Sequence, residues 1–119
     1  MKWTDITERY HDSIVVLDVQ GQVAAGQPDP ALRERIVDLV DKGYRRFVIA
    51  LGRTPHMDSM ALGEIVRAYI RTLREGGAVK FVGATPRVRL LLDVTRLSSA
   101  FELFDSEADA LRSFEETNV

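Results

Sequence analysis

Phe47-Val-Ile-Ala-Leu51, a short loop, His56-Met-Asp-Ser-Met-Ala-Leu-Gly63, and then Glu64 to Glu75: this stretch decides the fold. The first five residues are apolar with no polar alternation, as in a strand covered on both faces. After the loop, Leu62, Ile65, Val66, Tyr69, Ile70 and Leu73 recur at the spacing of one face of an α-helix. Asp58 and Ser59 stand where a helix N-cap belongs. The stretch therefore reads as strand, loop and helix, with a serine hydroxyl at the helix start. Backbone N–H groups without helical partners and the positive end of the helix dipole meet there, so a phosphate on Ser59 is favoured. The periodicity predicts Leu62, Ile65, Val66, Tyr69 and Ile70 as core. Glu64 and Arg67 are expected to flank the stripe and to tolerate alanine.

Working outward, Thr4–Tyr10 and Ser13–Gln20 read as two strands joined by a tight His11-Asp12 turn, with Ile6 and Tyr10 packing inward. Gly21 to Pro30 holds two glycines and two prolines, which excludes helix interior and central strand. Asp29 then reads as an N-cap, with Pro30 at the first helical position. Leu32, Ile36, Leu39 and Val40 form the next apolar face, closed by Lys42-Gly43. On the other side, Gly76-Gly77 ends the key helix and Ala78–Gly83 is a strand. A strand, helix, strand unit of this length implies a parallel crossover. Thr85-Pro86 opens a helix with Val88, Leu91, Leu92 and Thr95 inside, and Arg87, Arg89 and Arg96 read as a solvated basic cluster. Leu97-Ser-Ser99 is a turn, Phe101–Phe104 a short edge strand, and Asp105-Ser106 caps a last helix with Ala108, Leu111 and Phe114 inward. The order is ββαβαβαβα, an α/β (α+β) pattern in which a mixed sheet carries its helices largely on one side.

The whole chain bounds what such a fold can do. Its 119 residues suit one domain, 1–119, able to bury a real core. The hydrophobic share of 45%, with 29% charged residues, is that of a soluble globular protein. A net charge of −2 gives no electrostatic case for nucleic acid. No apolar run has the length of a membrane span, and the N-terminus lacks a signal-peptide core. The absence of cysteine excludes disulfides and thiolate chemistry and fits a cytoplasmic setting. His56, Asp58 and Ser59 carry the letters of a hydrolase triad. Three residues within four positions do not converge as nucleophile, base and orienter, however, and there is no G-x-S-x-G elbow. The two histidines lie far apart with no metal-ligand spacing. No cofactor and no enzymatic activity are expected.

Met57-Asp58-Ser59-x-x-Leu62-Gly63, after a hydrophobic strand and opening an amphipathic helix, resembles the STAS domain (sulphate transporter and anti-sigma-factor antagonist). Element order and length extend the resemblance over nearly the whole chain. It implies the STAS fold and an anti-sigma factor antagonist, a protein-binding module that sequesters an anti-sigma factor and so frees a sigma factor. The serine after the aspartate, here Ser59, is by resemblance the residue that a kinase-type anti-sigma factor phosphorylates. Asp58, Ser59, Met60, Ala61, Leu62 and Gly63, with His56, Arg53 and Gln22 from the neighbouring loops, are implied to be the partner-binding residues. Met60, Leu62 and the loop residues would supply the apolar contact, and Arg53 or His56 would steady the added charge. Implied partners are a serine-kinase anti-sigma factor and a serine phosphatase, with no nucleic acid and no membrane. The protein itself would be a monomer or weak homodimer. Two departures are visible. Antagonists usually follow the serine with Ser or Thr and then Gly, where this chain has Met60 and Ala61. They usually carry an acidic pair where it has Gln22-Val-Ala-Ala25. The alternative reading is a STAS scaffold or docking subunit of a signalling assembly that is not phosphorylated.

Overall fold

The computed structural model describes residues 2–22, 29–55 and 57–116. In chain order the elements are β1 (Lys2–His11), β2 (Ile14–Gln22), α1 (Ala31–Asp41), β3 (Arg46–Arg53), α2 (Ser59–Arg74), β4 (Ala78–Val82), α3 (Pro86–Val94), a 3-10 turn at Leu97–Ser99, β5 (Glu102–Phe104) and α4 (Glu107–Glu116). The five strands form one sheet in the order β1-β2-β3-β4-β5. β1 and β2 pair antiparallel through a hairpin whose turn residue Asp12 has φ 55°. The remaining neighbours pair parallel, each reached through a helix.

Alternation within the strands divides the core. Val15, Leu17, Val19, Phe47, Ile49, Leu51, Val79 and Phe81 pack under α1, α2 and α3. Ile14, Val16, Val48, Ala50 and Val82 point the other way and are covered by Ala110 and Phe114 of α4. This explains why Phe47–Leu51 shows no polar alternation: β3 is central and both of its faces are buried. Three helices thus share one side, and among the described residues α4 covers the other.

Several local expectations need correction. Tyr10 is largely exposed and packs its ring on Tyr44, whereas Trp3, outside the expected first strand, is buried. Pro30 rather than Asp29 holds the α1 cap position. The two Asp29 carboxylate oxygens instead accept from the Ala31 and Trp3 N–H groups, tying the helix start to β1. On α2 the buried face is rotated from the expected stripe. Ala61, Leu62, Glu64, Ile65, Ala68 and Thr72 are buried, while Ile70 and Leu73 are exposed. The small residues Ala61 and Ala68 bring the helix close to the sheet, which turns the larger side chains at 70 and 73 outward. On α4, Ala110 takes the inward position expected of Ala108, which is exposed. Thr95, expected inside α3, is exposed beyond its C-terminus.

The turn from α2 into β4 requires both of its glycines. Gly76 has φ +81°, a conformation that L side chains adopt at a penalty. A Cβ on Gly77 would lie 2.4 Å from the Arg45 carbonyl oxygen. The backbone passes there closely enough for the Ala78 N–H to donate to that carbonyl at 2.8 Å.

Candidate functional site at the start of α2

The loop from β3 to α2 is anchored before the helix begins. Thr54 is buried, and its hydroxyl donates to the Val19 carbonyl at 2.9 Å. The Thr85 hydroxyl, from the start of α3, donates to the Pro55 carbonyl at 2.7 Å. Met57 is buried in the main core cluster. These contacts fix where α2 starts, and nothing in the local sequence signalled that the two threonines would anchor this loop.

Asp58 is the N-cap of α2: the Ala61 N–H donates to its Oδ1 at 2.9 Å. Partial burial works to raise the pKa of this carboxyl, but hydrogen bonds, that of Ala61 among them, outweigh it and hold the value below the ordinary aspartate range. The carboxylate therefore stays charged at neutral pH and keeps the cap. Ser59 follows as the first helical residue, exposed, and Met60 beside it is 45% exposed. Ser59 is thus not the cap, a correction to the reading that gave the cap to either residue. Ala61 and Leu62 are buried in the core, with Leu62 reaching the floor of the groove beside Ser59. The exposed apolar group at the helix start is Met60.

Arg53 is committed elsewhere. Its guanidinium donates to Gln20 Oε1 at 2.6 Å and to Asp5 Oδ2 at 3.2 Å, which engages it with β1 and β2. It is not brought to Ser59. Gln22 ends β2 opposite Lys2, and its side chain lies outside the described residues, as does His56.

Two features beside Ser59 escaped the sequence reading. Glu64, expected to be a solvated flank, is only 3% exposed. Arg33 Nε of α1 donates to its Oε2 at 2.7 Å, and Arg67 Nη1 donates to its Oε1 at 3.1 Å. This ionic link joins α1 to α2 one turn from the site. The second feature is a pair of open grooves. One, of about 440 Å³, is lined by Ser59, Leu62, Gly63, Val66, Arg67, Thr95 and Leu97. The other, of about 320 Å³, runs along α3 between Met57, Arg87, Leu90, Leu91 and Val94. Leu90 and Val94 are exposed; an outward leucine and valine on a polar helix are a signal that the sequence did carry. Among the described residues no group of acidic or histidine side chains could hold a metal ion. No described helix is long and apolar enough to cross a membrane.

A parallel-dominated sheet with a capped, exposed serine opening the helix after its central strand is the arrangement of a known class. Residues 5–110 match the STAS domain family. The chain therefore belongs to the STAS domain family, and among its relatives there are anti-sigma factor antagonists. It is 31% identical over 90 residues to the anti-sigma-B factor antagonist of Bacillus subtilis, which covers 72% of this chain and 81% of that one. It is 24% identical over 110 residues to the anti-sigma F factor antagonist of Paenibacillus polymyxa, 92% of this chain and 94% of that one. Among solved structures, an anti-sigma factor antagonist from Mycobacterium paratuberculosis superposes with a TM-score of 0.77 at 26% identity, covering 92% of each chain.

Proposed function

We propose that the surface around the start of α2 binds an anti-sigma factor of the serine-kinase type, and that phosphorylation of Ser59 by that partner releases it. Binding frees the sigma factor; a serine phosphatase would restore the binding state. The site of action would be the cytoplasm, and the domain works as a binding module rather than an enzyme. The observation that carries this reading is the division of roles at the helix start. Asp58 holds the cap through its carboxylate, and Ser59 lies exposed beside it. Its hydroxyl can accept the γ-phosphoryl group of ATP, with ADP and a proton leaving, and the cap stays in place.

The added group carries a charge of about −1.5 to −2. On the protein alone the helix N-terminus favours that charge, so the fold is retained. In a packed interface the added charge and bulk lose their water, at a penalty of a few kcal/mol, roughly 10²-fold in affinity. Met60 would be the apolar anchor of that interface. The test incubates the protein with its kinase partner and ATP, maps the modified residue and measures affinity before and after. Ser59→Ala should bind constitutively, and Ser59→Asp should fold but bind weakly. Phosphate at another residue, or unchanged affinity with Ser59 fully modified, overturns the switch.

Met60 and Ala61 favour a second reading. A bulky exposed methionine directly after the acceptor position suits a permanent docking contact, as in a scaffold subunit that is never phosphorylated. Constitutive binding that ATP leaves unchanged would select it.

A further inference from the structure

Ser59, Gly63 and Arg67 stand at i, i+4 and i+8 on α2 and line the same groove. Arg67 is exposed, and its guanidinium already lies back along the helix: a Cβ on Gly63 would sit 3.9 Å from Arg67 Nη1. Gly63 therefore leaves the path between the arginine and the serine free of a side chain. One helical turn, about 6 Å of axial rise over four residues, separates Gly63 from Ser59. A phosphoserine at this exposed first helical position can turn toward Gly63 and cover part of that distance. Arginine side chains on helices lean toward the N-terminus, which is the direction required.

We propose that Arg67 is the internal receptor for the Ser59 phosphoryl group, reaching across Gly63 to pair with it in the groove. The proposal rests on Ser59 being the phosphoacceptor, and it names what the modified site contacts within this chain. Arg67 now shares the Glu64 carboxylate with Arg33. When Arg67 turns to the phosphate, Glu64 keeps the 2.7 Å bond from Arg33, so no buried carboxylate is left unpaired. Arg67 now gives Glu64 a single hydrogen bond, whereas a phosphate can take two parallel charge-assisted bonds from the same guanidinium. Among the described residues, the other charged groups near the groove are Asp58, next to Ser59, and Arg96, between the lining residues Thr95 and Leu97. Arg96 is exposed and sits at the turn after α3 in a left-handed conformation of φ 64°. Modification would thus leave the phosphate clamped against α2, and the clamp removes Arg67 from whatever a partner finds there in the unmodified state.

The experiment installs phosphoserine at position 59 during synthesis, so that no kinase is needed, and follows the phosphate by phosphorus NMR against pH. A phosphoserine with no cation beside it titrates near pH 6. In the otherwise unaltered protein its pKa should fall below that. Arg67→Gln should raise it by about 0.5 unit or more, since an opposite charge within a few ångströms favours the dianion. Gly63→Leu should raise it as well, by filling the path while leaving the charge in place. Arg96→Gln, the same charge change at the turn between the lining residues Thr95 and Leu97, should have a clearly smaller effect. No change in Arg67→Gln, or an equal rise in Arg96→Gln, overturns the proposal and leaves the Ser59 switch standing. A kinase partner that ignores Ser59 overturns the switch, and the titration still reports whether Arg67 reaches the phosphate.

Discussion

Glu64 accepts from Arg33 and from Arg67 while nearly all of its surface is withdrawn from water. Replacing it with alanine leaves two half-exposed arginines that can rehydrate, together with a small void. The expected loss is about 1–3 kcal/mol, that of a removed buried hydrogen-bond partner. Ile65→Ala, one residue on and fully inside the main core, should lose about 2–5 kcal/mol. Exposed Arg74→Ala should stay within about 0.5 kcal/mol. The urea midpoint should be lowest for Ile65→Ala, intermediate for Glu64→Ala and nearest the parent for Arg74→Ala, and a Glu64→Ala midpoint equal to that of Arg74→Ala would show the ionic link to be idle. Helical periodicity ranks residues by their own helix alone. It placed Ile65 correctly and misplaced Glu64, because the arginine that lets a glutamate be buried comes from another helix, 31 residues away. Ile70 and Leu73 fail too: apolar spacing put them inward, and the helix packs on the face of Ala61, Ile65, Ala68 and Thr72 instead.

At the scale of elements, α4 packs on the second face of the sheet. It contributes Ala110 and Phe114 to the second core, with Leu111 beside them, and the Ser113 hydroxyl receives the buried Lys80 ammonium at 2.6 Å. Its first turn is tied to β1 by a two-pronged pair, Arg9 to Glu107 at 2.8 and 2.6 Å. The Arg9 guanidinium, against some opposing burial and with help from His11, holds the Glu107 carboxyl below its ordinary range. A carboxyl whose folded value is depressed stabilises above its unfolded pKa, about 4.3, and loses that contribution as pH falls through the folded value. Glu107→Gln should therefore be less stable than the parent at neutral pH, by no more than about 1 kcal/mol for so exposed a pair. The gap should narrow as the pH falls below about 4. Denaturation curves at several pH values check the sign, and a gap that widens in acid would refute the assignment. The caps show what is legible at this scale. Thr85 before Pro86 caps α3 as read, its hydroxyl accepting from the Val88 N–H at 3.3 Å. Asp58 and Ser59 were indistinguishable by letter, since either oxygen can cap, and only the backbone geometry chose between them.

For the molecule as a whole, the order ββαβαβαβα, the hairpin, the parallel crossovers and the central place of β3 were all readable from runs and breakers in the chain. The helix that opens at the site was readable as well. What surrounds the site was not. The Thr54 and Thr85 anchors, the commitment of Arg53 to Asp5 and Gln20, and the two grooves each depend on residues from separate elements meeting at one end of the sheet. Nothing in the spacing of one segment encodes such meetings. Asp58, Ser59 and Met60 were legible because they are consecutive; Arg67 and Gly63 became neighbours of Ser59 in meaning only once the groove was visible.

Among the described residues it is α4 that covers the second sheet face, and this has a bearing on how the protein is made. Ribosomes deliver the chain in order, and α4 emerges after all five strands. Until it does, Ile14, Val16, Val48, Ala50 and Val82 form a bare apolar plane with the Lys80 ammonium beside it. A nascent sheet in this state is open to association with its neighbours, because the surface that folds the molecule is also the surface that aggregates it. A stop codon after Phe104 should therefore yield a product found mainly in the insoluble fraction, and α4 supplied as a separate peptide during refolding should recover part of it. If the truncated chain is as soluble as the parent, the newborn sheet has another way of hiding that plane.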